Sequence, residues 1–328
     1  MEIKDNFYLI RKLLNPIPQY ILGCLPAVAI VGDTPKEKLT EKLAWVLRCL
    51  GCPFTGLFYS CNVGSNKTEQ CLFWLPSDYF ICERDDGQQY PIAFRPVGIH
   101  GKILEPNEKL RISAEIKRCT ARASVLERLS SLVSAYYIFV GIIAGISRVT
   151  NQTNICEDWP YIPLLLSWTI PSIYKRIIWG HLIVKNPKIE MNNLRPITLK
   201  EINDDEIRNH KRFTVTFTAF ASIFFPWITV LLAYFTPPIG YRCRSKYVSV
   251  LCGIWSLNSA LAYFCHLKGE RGVTNFCFGI FHIWFSICGF VVAMLIFFLG
   301  ILTNNSEWWL KIFGSSCDIS DGLDVTCT

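Results

Sequence analysis

The hydrophobic positions of this chain fall in blocks rather than in stripes. Five stretches are almost wholly apolar: Leu129–Ile146, Trp159–Tyr174, Phe213–Phe235, Tyr247–Phe264 and Asn275–Thr303. None of them contains Asp, Glu, Lys or Arg. A soluble domain spreads its apolar residues at helical or strand periods. A spanning helix instead needs about 20 consecutive, mostly apolar residues, because the hydrocarbon layer is roughly 30 Å thick. The pattern therefore predicts an all-α membrane protein with about five transmembrane helices and an irregular N-terminal region. It divides the chain into a cytoplasmic or interfacial N-terminal region (1–106), an amphipathic helix leading into the first span (107–128), a transmembrane helical domain (129–303) and an outer C-terminal tail (304–328).

Local signals refine these elements. The second stretch holds Pro160 and Pro163, which suit a first helical turn, and Pro171, which predicts a kink deeper in the helix. Thr198-Leu199-Lys200-Glu201 has the form of a capping box and predicts a helix running through Arg208, Lys211 and Arg212 into the third span. Between 107 and 128, Ile112, Ile116, Cys119, Ala123 and Leu126 recur at alternating four- and three-residue steps. That spacing gives one apolar seam on a helix continuous with the first span. The seam suits a homo-oligomer contact, the membrane surface or the chain's own N-terminal region. Further upstream, Ile17–Val31 is interrupted by Pro18 and Pro26. Leu43–Tyr59 is broken by Arg48, Gly51 and Pro53. Both are short for spans and read as re-entrant or interfacial segments. Ile17–Val31, preceded by Lys4, Arg11 and Lys12, also has the layout of a signal peptide.

Charge orients the spans. The net charge of +7 is modest, but its placement is uneven. Basic residues crowd the approach to the first span (Arg111, Lys117, Arg118, Arg122, Arg128) and the loop after the second, from Lys175 to Arg212. Few lie on the other side (Arg148, Arg242, Arg244, Lys246, Lys311). The positive-inside rule then places the N-terminus in the cytoplasm and the C-terminus outside. The expected partner is the lipid bilayer. No basic stripe with interleaved aromatics suggests nucleic acid. The sequons at Asn151 and Asn304 fall on the expected outer face as glycosylation candidates, whereas the one at Asn66 falls inside.

The chemistry-bearing residues are sparse. Of fifteen cysteines, the expected outer segments hold Cys156, Cys243, Cys317 and Cys327, which permits two disulfides in any of three pairings. Cys49 and Cys52 form a C-x-x-C pair without the second pair or His that a zinc site needs. Asp204, Asp205 and Glu206 read as a solvated helix face. Asn258 and His282 are polar positions inside spans, suited to interhelical hydrogen bonds or a polar interior. There is no Gly-rich phosphate loop, no intramembrane acid pair and no nucleophile–base constellation. The expectation is a protein without enzymatic activity, cofactor or metal.

One segment carries a resemblance. Thr236-Pro237-Pro238-Ile239-Gly240-Tyr241-Arg242-Cys243-Arg244-Ser245 resembles a Thr-Pro-x-x-Gly-x-x-Cys-Arg-Ser turn in uncharacterised fungal multi-pass membrane proteins. The likeness covers residues 129 to about 302, and the N-terminal part departs from it. It implies a source and an architecture, not a reaction. Two roles follow from the whole sequence: a channel or pore component built on the polar positions of the spans, or a receptor or assembly scaffold using the outer turn and tail. The contact residues for either would be Arg242, Arg244, Asn258 and His282. A further reading is that the chain is a fragment of a longer protein.

Overall fold

Four helices of this computed structural model are long and apolar enough to cross a membrane: they contain Val125–Ser147, Val215–Phe235, Cys243–His266 and Ile280–Ile301. The structure describes residues 17–63, 66–75, 79–83, 87–91, 106–150, 160–178, 180–190, 197–200, 204–236, 239–268 and 275–302. In chain order the helices are α1 (Ile17–Val31), α2 (Leu39–Gly51) and α3 (Pro53–Leu57), which continues as a π-helical turn over Phe58–Val63. Then follow α4 (Lys67–Phe73), α5 (Pro106–Cys119), α6 (Val125–Val149) and α7 (Tyr161–Leu165). A 3₁₀ turn at Ser167–Thr169 leads to α8 (Ile170–Ile178). The last four are α9 (Pro187–Glu190), α10 (Asp204–Phe235), α11 (Cys243–Lys268) and α12 (Asn275–Leu302). The chain is an all-α integral membrane protein. Phe213, Phe217, Phe220 and Phe224 stay exposed along one side of α10, at the three- and four-residue spacing of a lipid-facing stripe.

Residues 161–178 run through the bundle as an interrupted helix. At one end Tyr161 Oη donates to Thr236 Oγ1, 2.6 Å away, just past the end of α10. At the other, Arg176 pairs with Asp33 at 2.7 Å, just past the end of α1. The break falls at Leu166–Thr169, not at Pro171 as the sequence suggested. Pro171 is the second residue of α8, where the missing N–H costs nothing. Residues Tyr161 to Thr169 are all buried. This is the condition under which irregular backbone survives at membrane depth.

Residues 39–63 form a second irregular element, a re-entrant hairpin. Helix α2 runs alongside α12 in the same direction: Ala44 O accepts from Ser286 Oγ, and Gly51 meets Gly289 halfway along α12. The chain then turns at Cys52 and Pro53 and returns. Near its return end, Asn62 Nδ2 donates to Thr218 Oγ1 at 2.9 Å, and Lys175 donates to Cys61 O. The α2–α12 contact is backbone on backbone. A Cβ added at Gly51 would run into Phe285 O, and one added at Gly289 would run into Leu47 O. Small residues at such crossings are what lets spanning helices pack this closely. Gly141 and Gly145 of α6 play the same part beneath Pro163 and Leu164 of α7.

The boundary expected at residue 106 is therefore not a packing boundary. Trp45, Cys52, Phe54 and Tyr59 share one core with Trp168, Val230, Trp255 and Phe285. A smaller core forms outside the bundle. There β1 (Phe80–Glu83) pairs antiparallel with β2 (Gln89–Pro91), and β3 (Thr120–Arg122) pairs antiparallel with β4 (His181–Ile183). Parallel to β1 runs β5 (Ile197–Lys200). Two local expectations change here. The Thr198–Glu201 segment caps no helix through Lys200, because Ile197–Lys200 is strand β5 and Ile197 is fully buried. The helix over 107–128 does not run into the first span: it ends at Cys119, and strand β3 intervenes. Its seam is used within the chain. Ile112, Ile116 and Cys119 pack on Cys71, Leu72, Leu75 and Phe80, and Ala123 is also buried, while Leu126 is exposed.

The glycine contact gives a direct prediction. Gly289→Val should destabilise the purified protein by about 3 kcal/mol or more, because the opposing atoms are backbone and cannot yield. Gly253→Val, where nothing lies within 4 Å of an added Cβ, should leave the melting temperature within a few degrees of the parent. Thermal unfolding in detergent reads both.

Candidate functional site

The two irregular elements meet inside the bundle, and their junction is the candidate site. Helix α2 ends where no water reaches, so its last carbonyls need partners from neighbouring helices. Span α11 provides them. Trp255 Nε1 donates to Leu50 O at 2.6 Å, and Asn258 Nδ2 donates to Gly51 O at 2.8 Å. The other end of the Asn258 amide accepts from Trp284 Nε1 of α12 at 2.9 Å. Cys52 Sγ reaches the Asn258 carbonyl at 3.5 Å. One fully buried amide thus ties the hairpin tip to two spans.

The returning half of the hairpin faces the interrupted helix. Trp168, in the 3₁₀ turn, stands edge-on to Trp255 with ring centroids 6.2 Å apart and lies close to Gly56. Ser60 and Ser172 share a hydrogen bond. Several buried polar atoms at this level have no hydrogen-bond partner: Trp168 Nε1, Ser259 Oγ and Thr229 Oγ1. Orphan polar atoms are uncommon in native interiors and mark places where water, an ion or a solute completes the coordination.

The residues singled out from sequence fall into separate places. Asn258 is at the junction, in a structural role. His282 lies on α12 towards the opening of the hairpin, and the charged groups acting on it are Arg48, His266 and Lys36. Arg242 and Arg244 lie at the opposite end, before and within the first turn of α11. Arg244 stacks over the Tyr161 ring at 5.6 Å, and Ser245 Oγ donates to Arg242 O at 2.9 Å. That turn is engaged with the start of α7 and the end of α10. Nine of the described cysteines are free, including Cys49 and Cys52. Cys243 is disulfide-bonded. Cys156, Cys317 and Cys327, with the glycosylation candidates Asn151 and Asn304, lie outside the described residues, as do Pro237 and Pro238. Asn66 serves as the N-cap of α4, its Oδ1 accepting from Thr68 N at 2.9 Å.

Outside the membrane, Cys71 and Cys119 hydrogen-bond through their thiols, which holds Cys119 below the ordinary thiol range and Cys71 above it. Among the described residues no group of three His, Cys, Asp or Glu side chains is placed to hold a metal. No family model, curated protein or solved structure matches the chain.

Sequence reading passed over Ser60, Trp168 and Ser172, and took Arg48 only as a break in an apolar run. The one available signal was Arg48, a cation inside an apolar run, where charge is costly and usually functional. The serines had none, because they gain meaning only through the meeting of segments more than a hundred residues apart.

Replacing Asn258 tests the tie. Asn258→Leu leaves Gly51 O and Trp284 Nε1 unpaired and should cost about 1–3 kcal/mol for each. Trp284→Phe removes only one donor and should cost less. Thermal unfolding of both variants, compared with the parent, measures the difference.

Proposed function

We propose that this integral membrane protein moves a small solute or ion across the bilayer, as a channel or pore component. The observation that supports this is the junction itself: a re-entrant hairpin and an interrupted helix meet inside the bundle beside the unpartnered atoms of Trp168 and Ser259. Broken helices at membrane depth commonly line solute paths, because their irregular backbone needs either protein or a wet cavity around it. The polar pair Ser60 and Ser172 lies on the facing surfaces of the two elements. Nothing in the arrangement requires a chemical step, and the proposal is of a protein without enzymatic activity.

The sidedness follows from the charge rule: the hairpin opens to the cytoplasm, and the turn around Arg242 and Arg244 faces outside. In that outer setting the disulfide of Cys243 would take Cys156, Cys317 or Cys327 as its partner. The turn's likeness to fungal multi-pass proteins belongs to the same proposal. A receptor or scaffold role for the turn has less support, since Arg244 already stacks on Tyr161.

Reconstitution into liposomes tests the transport reading. The parent protein should pass ions or small polar solutes. The double variant Ser60→Val, Ser172→Val should slow that flux several-fold while remaining folded. A parent protein that passes no ion and no small polar solute would remove the reading. Protease protection of residues 269–274 in sealed vesicles tests the sidedness independently.

A further inference from the structure

The inner side of α10 carries hydroxyls in a line. Thr218, Ser222, Thr229 and Thr236 are all buried. Ser222, Thr229 and Thr236 follow one another at two-turn steps, and Thr218 lies one turn before Ser222, so the four share one side of the helix. From Thr218 to Thr236 the rise is about 27 Å, close to the hydrocarbon thickness of roughly 30 Å. The column therefore runs the depth of the membrane.

Its two ends are tied. Thr236 Oγ1 accepts from the Tyr161 hydroxyl at 2.6 Å, and Thr218 Oγ1 accepts from the Asn62 amide at 2.9 Å. Between them, Ser222 Oγ donates back to Ala219 O at 2.8 Å, and Thr229 Oγ1 makes no hydrogen bond. Two neighbouring elements bring further unpartnered groups to the same depths. Trp168 lies seven residues in from Tyr161, as Thr229 lies seven back from Thr236, and the 3₁₀ turn that holds Trp168 packs on α10. On α11, Ser259 falls close to midway between Ser256 and Tyr263. Ser222 falls close to midway between their partners on α10, Trp227 and Thr216. Trp168 Nε1 and Ser259 Oγ make no hydrogen bond, and both side chains are fully buried. Orphan polar groups from three elements thus lie along one stretch of the column.

The chemistry of these groups selects the solute. Hydroxyls donate and accept, and the indole N–H donates. No charge stands by to replace the hydration of an ion. Among the described residues no lysine, arginine or histidine is buried, and Glu69 of α4, outside the spans, is the one buried acid. Carbonyl oxygens can also replace an ion's water. Here Leu50 O, Gly51 O and Leu166 O, at the two breaks, are already taken by Trp255, Asn258 and Thr169. A neutral molecule that carries hydroxyls needs neither device, because its own groups match donors and acceptors along the way.

We propose that the hydroxyl column of α10, with Trp168 and Ser259 beside it, is the path of a small uncharged solute of the polyol class. This rests on the transport role proposed above and names its substrate.

The test uses the full chain in liposomes, with glycerol, potassium and chloride as separate probes. Glycerol should equilibrate well above the rate of empty liposomes, and neither ion should. Thr229→Val keeps the side-chain shape, removes the hydroxyl and breaks no hydrogen bond. It should slow glycerol about threefold or more, with the melting temperature unchanged. Should it fail to fold, Ser259→Ala carries the same expectation. Ser256→Ala, whose Oγ accepts from Trp227 away from the column, should carry glycerol like the parent. Potassium or chloride passing as fast as glycerol, or in its place, overturns the proposal and leaves the transport role standing. Passage of none of the three removes both. Folded Thr229 and Ser259 variants that carry glycerol at the parent rate also overturn it.

Discussion

The capping of a helix that stops inside a membrane protein governs this structure. Helix α2 ends at Gly51 beside the midpoint of α12, and its final carbonyls have no water to turn to. Trp255 and Asn258 take that role. In lipid an unsatisfied backbone group costs several kcal/mol (roughly), so a chain can reverse direction there only where a neighbour offers a donor. Those two side chains fix where the hairpin tip sits. The glycine contact between Gly51 and Gly289 then sets how closely α2 can approach α12.

The other packing decisions follow from that tip. With α2 against α12, the returning segment through Phe58 lies against α11, where the Phe58 and His266 rings stand 4.7 Å apart. It also faces the interrupted helix, where Ser60 meets Ser172. The interruption in 161–178 is tolerated for the same reason as the tip: protein surrounds it on every side, and Thr169 Oγ1 donates back to Leu166 O within the break at 2.7 Å. Two irregular segments that lipid would not permit separately thus enclose each other. Buried orphan atoms lie in and beside this enclosure, while the exposed side chains of the spans are mostly apolar. Chemistry is concentrated where the backbone is irregular.

Much of the layout was legible from composition alone. Apolar blocks identify spans because the bilayer imposes a length and forbids charge over it. This reasoning located the membrane-length segments of α6, α10, α11 and α12 to within a few residues. Shorter signals misled where tertiary pairing competed with them. Thr198–Lys200 looked like a helix cap but became an edge of a small sheet, since Ile197 gains more by entering the core with Phe80. The cap that does operate, Ser124 with Glu127, carries the equivalent pattern with Ser in place of Thr. Glu127 N donates to Ser124 Oγ at 3.2 Å, and Ser124 N donates to Glu127 Oε2 at 2.6 Å. It starts α6 immediately after β3.

What the sequence determined by itself was the solvent: blocks of uncharged apolar residues dictate lipid, helices and the approximate ends of each span. What the tertiary structure alone decided was which segments stop halfway and what meets them there. Leu43–Tyr59 reads equally as interfacial or re-entrant, because its ambiguity lies in Gly51 and Pro53, which permit a break without requiring one. The outcome depends on Trp255, Asn258 and Gly289, some two hundred residues away. A hydrogen-bond donor placed against an orphan carbonyl has no local signature, and only folding brings the two together.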